Sequence, residues 1–339
     1  MRILGIESSC DECAAAVVED GRRVVSSVVA TQIPFHARYD GVVPEIASRK
    51  HVEWIDGVVA RALAEAGMKA DELDGVAVTS TPGLAGALLV GVQFAKAFAW
   101  SLRKPFVGVN HMLAHLWAPQ LEADTPYPFL GLLVSGGHTL IVRVEGFDAV
   151  EVLGTTIDDA VGEAFDKVAK HYGLGYPGGL VMDALARKGD PRAARFPFPK
   201  LDKGEHRYDV SYSGLKTAAI RQLELFWNPE YPRTDENLAA AFEKAAIDLL
   251  LDRLLKAVED TGIRRVVAGG GVAANSYLRS VLASHPEIDA RFPPLSYCGD
   301  NGAMVAGLGY MMLARGDRSD LSLNASPRVP IYRRGKGGR

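Results

Sequence analysis

Two histidines four residues apart, His111 and His115, lie in Asn110-His111-Met112-Leu113-Ala114-His115. Far downstream stands a lone acidic loop, Tyr297-Cys298-Gly299-Asp300-Asn301-Gly302. Residues four apart stack on one face of a helix, so two imidazoles there can grip one metal ion. A carboxylate from the distant loop, Asp300, completes a two-histidine, one-carboxylate set with open coordination positions, which suits iron(II) or zinc. Open positions matter because they bind substrate. A metalloprotease helix would read His-Glu-x-x-His with glutamate as base. Here Met112 follows His111 and no carboxylate lies between the histidines, so that reading is disfavoured.

Other small-residue turns carry chemistry of a different kind. Ser8-Ser9-Cys10-Asp11 and Ser135-Gly136-Gly137-His138 each link two expected strands. Small residues let backbone amides approach an anion, and hydroxyls add donors, so a facing pair of such turns is expected to grip a phosphate. Val266 to Asn275 reads as strand, glycine turn and helix start, a place where a nucleoside lies against bare backbone and Asn275 reaches a ribose or base edge. The run lacks the Gly-x-Gly-x-x-Gly spacing of a dinucleotide fold, and no Walker-type phosphate loop occurs anywhere. Asp166 and Asp183 flank the turn Tyr176-Pro177-Gly178-Gly179 and can accept from a ribose or substrate hydroxyl. Cys10 and Cys13 form a lone Cys-x-x-Cys with no second pair to close a zinc site, and read as small residues in a tight turn.

The elements that must position these groups alternate between strand and helix. Ile3–Ile6, Ala14–Glu19 and Val24–Ala30 read as strands joined by turns, and Leu130–Val134, Thr139–Glu145 and Ala149–Leu153 repeat that unit. Helices are expected over Pro44–Ala66, Gly83–Leu102, Asp158–Tyr172, Asn237–Thr261 and Ala274–Ala283, with strands over Gly75–Thr79 and Arg265–Ala268. The alternation predicts an α/β class with mostly parallel central sheets. With 339 residues, two domains are the natural prior. A net charge of −3 is not that of a dedicated nucleic-acid binder, so any RNA contact is expected through a local patch or a partner. Three cysteines point to a reducing cytosol. No signal-peptide pattern and no membrane-length apolar stretch are read, so the expectation is a soluble, cytoplasmic protein. Residues 187–210 read as a surface excursion whose basic residues, among them Lys200 and Lys203, can meet phosphates, and the basic tail reads as disordered.

These motifs occur in the order found in one family. Gly5 to Glu12, Asn110 to His115, Leu133 to Thr139, Gly162 to Lys167, Tyr176 to Gly179, Ser211-Tyr212-Ser213-Gly214-Leu215-Lys216, Gly269 to Val272, Asn275 and Asp300-Asn301-Gly302 make the chain resemble the bacterial TsaD family, from residue 1 to about 330. The family comprises tRNA N6-adenosine threonylcarbamoyltransferases, once described as O-sialoglycoprotein endopeptidases. Cys13 and Ser8 depart from it by standing where threonine is usual. The resemblance implies the actin-like ATPase fold, two duplicated α/β lobes with mixed central sheets. These are expected at 1–128 and 129–327, with a flexible tail at 328–339. It implies transfer of threonylcarbamoyl from threonylcarbamoyl-AMP to the N6 amine of the adenosine 3′ of the anticodon, A37, in tRNAs reading codons that begin with A. His111, His115 and Asp300 then hold one divalent ion, iron(II) first, with zinc or magnesium as alternatives. Leu133, Val134, Ser135, Gly136, Gly137, Asp166, Gly179, Asp183 and Asn275 contact the adenylate, whether threonylcarbamoyl-AMP or ATP and ADP analogues. Asp11 and Glu12 are the candidate general bases. The implied partners are tRNA, a TsaB-like paralogue, a TsaE-like ATPase and a separate synthase that makes the donor. The competing reading is a small-molecule kinase or ATPase of the same fold.

Overall fold

The computed structural model describes residues 1–198 and 206–328. Lys200, Lys203 and the tail from 329 onward lie outside the described residues. The chain forms two compact units, Met1–Thr125 with the described part of Pro293–Tyr332, and Pro126–Phe292.

In the first unit, β1 (Arg2–Glu7), β2 (Glu12–Glu19) and β3 (Arg23–Thr31) run antiparallel in sequence. After the short α1 (Ile33–His36) and the long α2 (Pro44–Glu65), β4 (Gly75–Thr81) pairs parallel with β1. Then α3 (Ala85–Leu102) leads to β5 (Phe106–Asn110), parallel to β4, and to the seven-residue α4 (His111–Trp117). The sheet order is β3-β2-β1-β4-β5.

The second unit repeats this plan. β6 (Phe129–Val134), β7 (Thr139–Val144) and β8 (Val150–Thr155) are antiparallel neighbours. Next come α5 (Val161–His171), α6 (Gly178–Ala186), α7 (Ser213–Arg221), α8 (Leu223–Phe226) and the 27-residue α9 (Asp235–Thr261). β9 (Arg265–Gly269) pairs parallel with β6; α10 (Ser276–Ser284) and β10 (Asp289–Arg291) follow, and the order is β10-β9-β6-β7-β8. Read from the third strand of each unit, the two orders coincide, so the expected duplication is present in topology. The sheets are mixed rather than mostly parallel, because each opening meander supplies two antiparallel ladders.

Central strands buried on both faces explain the sequence patterns. Leu4 and Ile6 of β1 join a core with Ile55, Val58, Val59, Val92 and Ala95 of α2 and α3. Gly5, between them, turns to the other face, where α11 (Gly302–Arg315) packs on β1, β2 and β4. A Cβ on Gly5 would stand 2.1 Å from the Gly302 carbonyl oxygen, so backbone meets backbone there. This packing corrects the expected second boundary. Residues 293–327, expected in the second lobe, belong to the first, where the small-residue face of α11 packs on the sheet.

Two further expectations need correction. α3 is an 18-residue helix apolar enough by length and composition to cross a membrane, contrary to the reading that no stretch approaches that length. Its Ala87, Leu88, Gly91, Val92, Ala95 and Ala99 are buried, and Lys96 donates to the Leu323 carbonyl. The segment from 187 to 210 is not wholly a surface excursion. Ala194 bridges Trp227, Val210 bridges Thr156, and Ala193, Phe196 and Asp209 are buried.

Candidate functional site

The metal candidates lie within the first unit. Asn110 caps α4, its side chain accepting from the Met112 and Leu113 amides at 2.9 and 3.3 Å, which starts the helix at His111. One turn later His115 follows on the same face, the two ring centroids 4.6 Å apart. Asn301 caps α11 by accepting from the Met304 amide, and so presents Asp300 from the preceding loop. Asp300 Oδ1 lies 3.0 Å from His115 Nε2 and 3.5 Å from His111 Nε2. One donor atom from each residue falls within 4.8 Å of the others.

Behind His111 stands a residue that sequence reasoning passed over. Glu7, fully buried at the end of β1, accepts from the Ser9 amide at 2.6 Å, the Thr79 hydroxyl at 2.6 Å and His111 Nδ1 at 3.0 Å. Burial opposes its ionisation, but His111 and Thr79 outweigh it and hold the carboxyl below its ordinary value. Burial likewise opposes the charged imidazole of His111. Asp300 and Glu7 overcome that and push it up to about 9. Two carboxylates therefore converge on one cationic site, and His115, also buried, leaves its Nδ1 without a hydrogen-bond partner. This donor set fits a divalent cation. With Glu7 taking Nδ1–H, His111 can offer Nε2. Glu7→Ala should weaken zinc or cobalt affinity by roughly 10–100-fold, while Glu7→Gln, which keeps an acceptor oxygen, should stay nearer wild type. Calorimetric titration of the three proteins checks this; equal affinities would contradict it.

The first turn does not match its expected role. The Ser8 hydroxyl donates to the Ala87 carbonyl, the Ser9 amide to Glu7, and the Ser9 hydroxyl lies 3.2 Å from His111 Nδ1. Ser9 thus braces His111 directly and through Glu7, Ser8 ties the turn to α3, and these three donors are not left for a phosphate. Cys10 and Cys13 are free, and burial pushes both thiols up, Cys13 to about 12, which is the opposite of a reactive pair. Of the candidate bases, Asp11 is raised by burial, and Glu12 is raised by burial to about 8 despite the bond from the Thr31 hydroxyl.

The adenylate candidates lie within the second unit. Leu133 and Val134 are buried in β6, which carries the chain into the turn beyond them. The turn beyond them is closed by Ser135 N donating to His138 O and His138 N donating to Ser135 Oγ, with Gly136 and Gly137 exposed and open on their Cβ side. Two elements abut this turn through glycine. The Gly162 amide of α5 donates to Ser135 O at 3.3 Å, and a Cβ on Gly270, at φ +93°, would stand 2.4 Å from Val134 O. Asp166 accepts from the Gly178 amide at 2.7 Å and so ties α5 to α6 beside Gly179, whose Cβ side is open.

Asp183 and Asn275 meet directly. Asn275 Nδ2 donates to Asp183 Oδ1 at 3.3 Å and to Glu243 at 2.6 Å. Sequence reasoning missed Glu243. Its one signal is a charge on the helix face of Ala239, Ala240, Phe242, Ala246 and Ile247, next in sequence to Lys244. The Glu163–Lys167 pairing weighed as the plain alternative for α5 is also present, at 2.8 Å.

The model of the TsaD family, described as tRNA N6-adenosine threonylcarbamoyltransferase, matches residues 23–307. A protein of that name from Treponema denticola is 64% identical over 329 residues, covering 97% of each chain. One from Treponema pallidum is 56% identical over 339 residues, covering 100% of this chain and 96% of its own. Among solved structures, HypF from T. kodakarensis aligns with a TM-score of 0.62 at 15% identity, over 93% of this chain and 48% of that one. Component A of the (R)-2-hydroxyglutaryl-CoA dehydratase from Acidaminococcus fermentans aligns at 0.54 and 14%, over 93% and 99%. At such identities these structures bear on the fold alone, and it is the actin-like ATPase fold.

Proposed function

The chain belongs to the TsaD family of tRNA N6-adenosine threonylcarbamoyltransferases, and from that premise we propose that it moves threonylcarbamoyl from threonylcarbamoyl-AMP to N6 of A37 in tRNAs reading codons that begin with A. The observation that carries this reading is the convergence of His111, His115 and the part-exposed Asp300, braced by buried Glu7, in a chain with the family's motifs in order.

The donor is a mixed carboxylic–phosphoric anhydride, so its carbonyl is electrophilic and AMP leaves readily. His111, His115 and Asp300 are assigned to a divalent ion, iron(II) first, which supplies Lewis-acid polarisation of a donor oxygen when bound. Glu7 fixes the His111 ring. The open amides of Gly136 and Gly137 are assigned to the phosphate, where charge gathers as the anhydride bond breaks. Asp166, Gly179, Asp183 and Asn275 are assigned to the adenosine moiety of the donor. The acceptor N6 amine is a poor nucleophile because its lone pair is delocalised, so positioning supplies much of the rate. The target base must also leave the anticodon-loop stack.

Glu12 is proposed to take the proton from N6. It is pushed up to about 8, so it is mostly the neutral acid at pH 7 and becomes a competent base as pH rises through 8. Activity should therefore climb through that range in wild type. Glu12→Gln should lose about 100-fold or more and show no such climb. A Glu12→Gln enzyme with half the wild-type rate and an unchanged pH profile would remove Glu12 from the mechanism.

A TsaB-like paralogue is proposed to dock on α2, where Val52 is 67% exposed on a helix whose Ile55, Val58 and Val59 are buried. A TsaE-like ATPase and the donor synthase complete the proposed set. The test of the whole reading is incorporation of labelled threonine into tRNA. Phosphoryl transfer from ATP to small metabolites in its place would favour the kinase alternative.

A further inference from the structure

Three helices of the second unit, α6, α9 and α10, converge on one buried polar network, and it holds a carboxylate, Glu243, that no step above uses. Asp183, on α6, accepts from the Ser276 amide at 2.8 Å and the Ser276 hydroxyl at 2.6 Å through Oδ1, and pairs with Arg187 at 2.9 Å through Oδ2. Asn275 accepts from the Leu278 amide through Oδ1 and thereby caps α10. Its Nδ2 is held by Glu243 of α9 at 2.6 Å and, less closely, by Asp183. Both ends of the Asn275 amide are thus committed, and its flip state is fixed by Glu243 on one side and the α10 backbone on the other. Asn275, Asp183 and Glu243 are 7%, 8% and 5% exposed.

We propose that Glu243 is a positioning residue of the adenylate subsite: it orients the Asn275 amide and shares its hydrogen-bonding with Asp183, keeping the turn before α10 in one conformation under the nucleoside. This rests on the adenylate reading given above. Asn275 and Asp183 belong to that reading, and Glu243 reaches the nucleoside only through them.

The charge balance supports the assignment. Two carboxylates, Glu243 and Asp183, lie together with one cation, Arg187, ion-paired to Asp183. Among the other charged groups on and against this part of α9, Arg279 of α10 donates to the Ala273 carbonyl and lies over Phe292, and three more are engaged elsewhere. Lys244 pairs with Asp248 and also donates to Tyr277; Asp190 pairs with Arg192; Lys216 of α7 pairs with Asp159. Burial, with Asp183 adding to it, pushes Glu243 up to about 7. Below that pH the neutral acid can donate to Asp183 while accepting from Asn275. Above it two anions face each other and the arrangement loosens. Glutamine copies the neutral acid, with an oxygen for Asn275 and an amide for Asp183.

The experiment measures binding of adenosine, which has no phosphate to titrate, and of AMP, to wild type, Glu243→Gln, Glu243→Ala and Asn275→Ala. Titrations are run from about pH 6 to about pH 8.5, spanning the Glu243 transition. Wild-type affinity for adenosine should fall several-fold as pH rises. Glu243→Gln should match the low-pH wild type and stay level, and Glu243→Ala should be about tenfold weaker or more throughout. If Asn275→Ala is weakened but Glu243→Ala binds as wild type does, the inference is overturned and the adenylate reading stands. If Glu243→Gln keeps the wild-type pH dependence, the inference is overturned as well, and this arm decides should the alanine variant fail to fold. If wild type binds neither adenosine nor AMP, or Asn275→Ala binds as wild type does, the adenylate reading fails and the inference with it.

Discussion

Asp300→Ala should strip the protein of tightly bound divalent metal and lower threonylcarbamoyl transfer by about 100-fold or more. The carboxylate is the one charged donor in the cluster, and it contacts both histidines, at 3.0 and 3.5 Å. Without it His111 and His115 remain as two imidazoles on a short helix, too few donors for a tight site. A Lewis acid contributes several kcal/mol of transition-state stabilisation, which sets the scale of the loss. The substitution removes a side chain that is partly exposed and lies outside any helix, so the fold should survive it. Metal content by elemental analysis and the rate of transfer should fall together. Full activity with wild-type metal content would dismiss the three-residue site.

Gly5→Val should unfold the first unit more easily, costing about 3 kcal/mol or more. A Cβ at this position would meet the Gly302 carbonyl oxygen at 2.1 Å and the Ala306 amide at 2.5 Å. Both are backbone atoms of α11 and cannot rotate aside. Relief requires α11 to move off the sheet, and α11 carries Asp300 at its entrance, so metal affinity should fall with stability. Gly57→Ala is the control. Gly57 is exposed in the middle of α2, nothing lies within 4 Å of the added carbon, and helix propensity should raise stability by about 0.5–1 kcal/mol. Chemical denaturation followed by circular dichroism measures both. A Gly5→Val protein as stable as wild type would show that α11 can shift without cost.

The parts of the fold that the sequence made legible were those written in local pattern. The strand meanders and the long helices were read within a few residues, because apolar period and turn chemistry act over short spans. The His111–His115 pair was legible for the same reason. What escaped was the pairing of distant segments. The apolar and small residues of α11 announce a buried face, but they do not say which sheet it covers, so its return to the first unit went unread. Glu7 closes an apolar strand and Glu243 sits inside a long helix, and a lone carboxylate in such a place looks like solvent-facing punctuation. Its meaning comes from His111 and Thr79 in one case, and from Asn275 and Asp183 in the other, all far away in sequence. The Ser8-Ser9 turn was misread because its donors are taken by Ala87 and Glu7, neighbours that only the folded chain supplies.

The most direct test of the central claim is incorporation of labelled threonine into tRNA. The reaction holds the full chain, its proposed partners and enzymatically made threonylcarbamoyl-AMP, with His111→Ala run beside wild type. Label in tRNA with wild type and its loss with His111→Ala is the predicted result. Equal labelling by both proteins, or none by wild type while donor and partners are active, would contradict it.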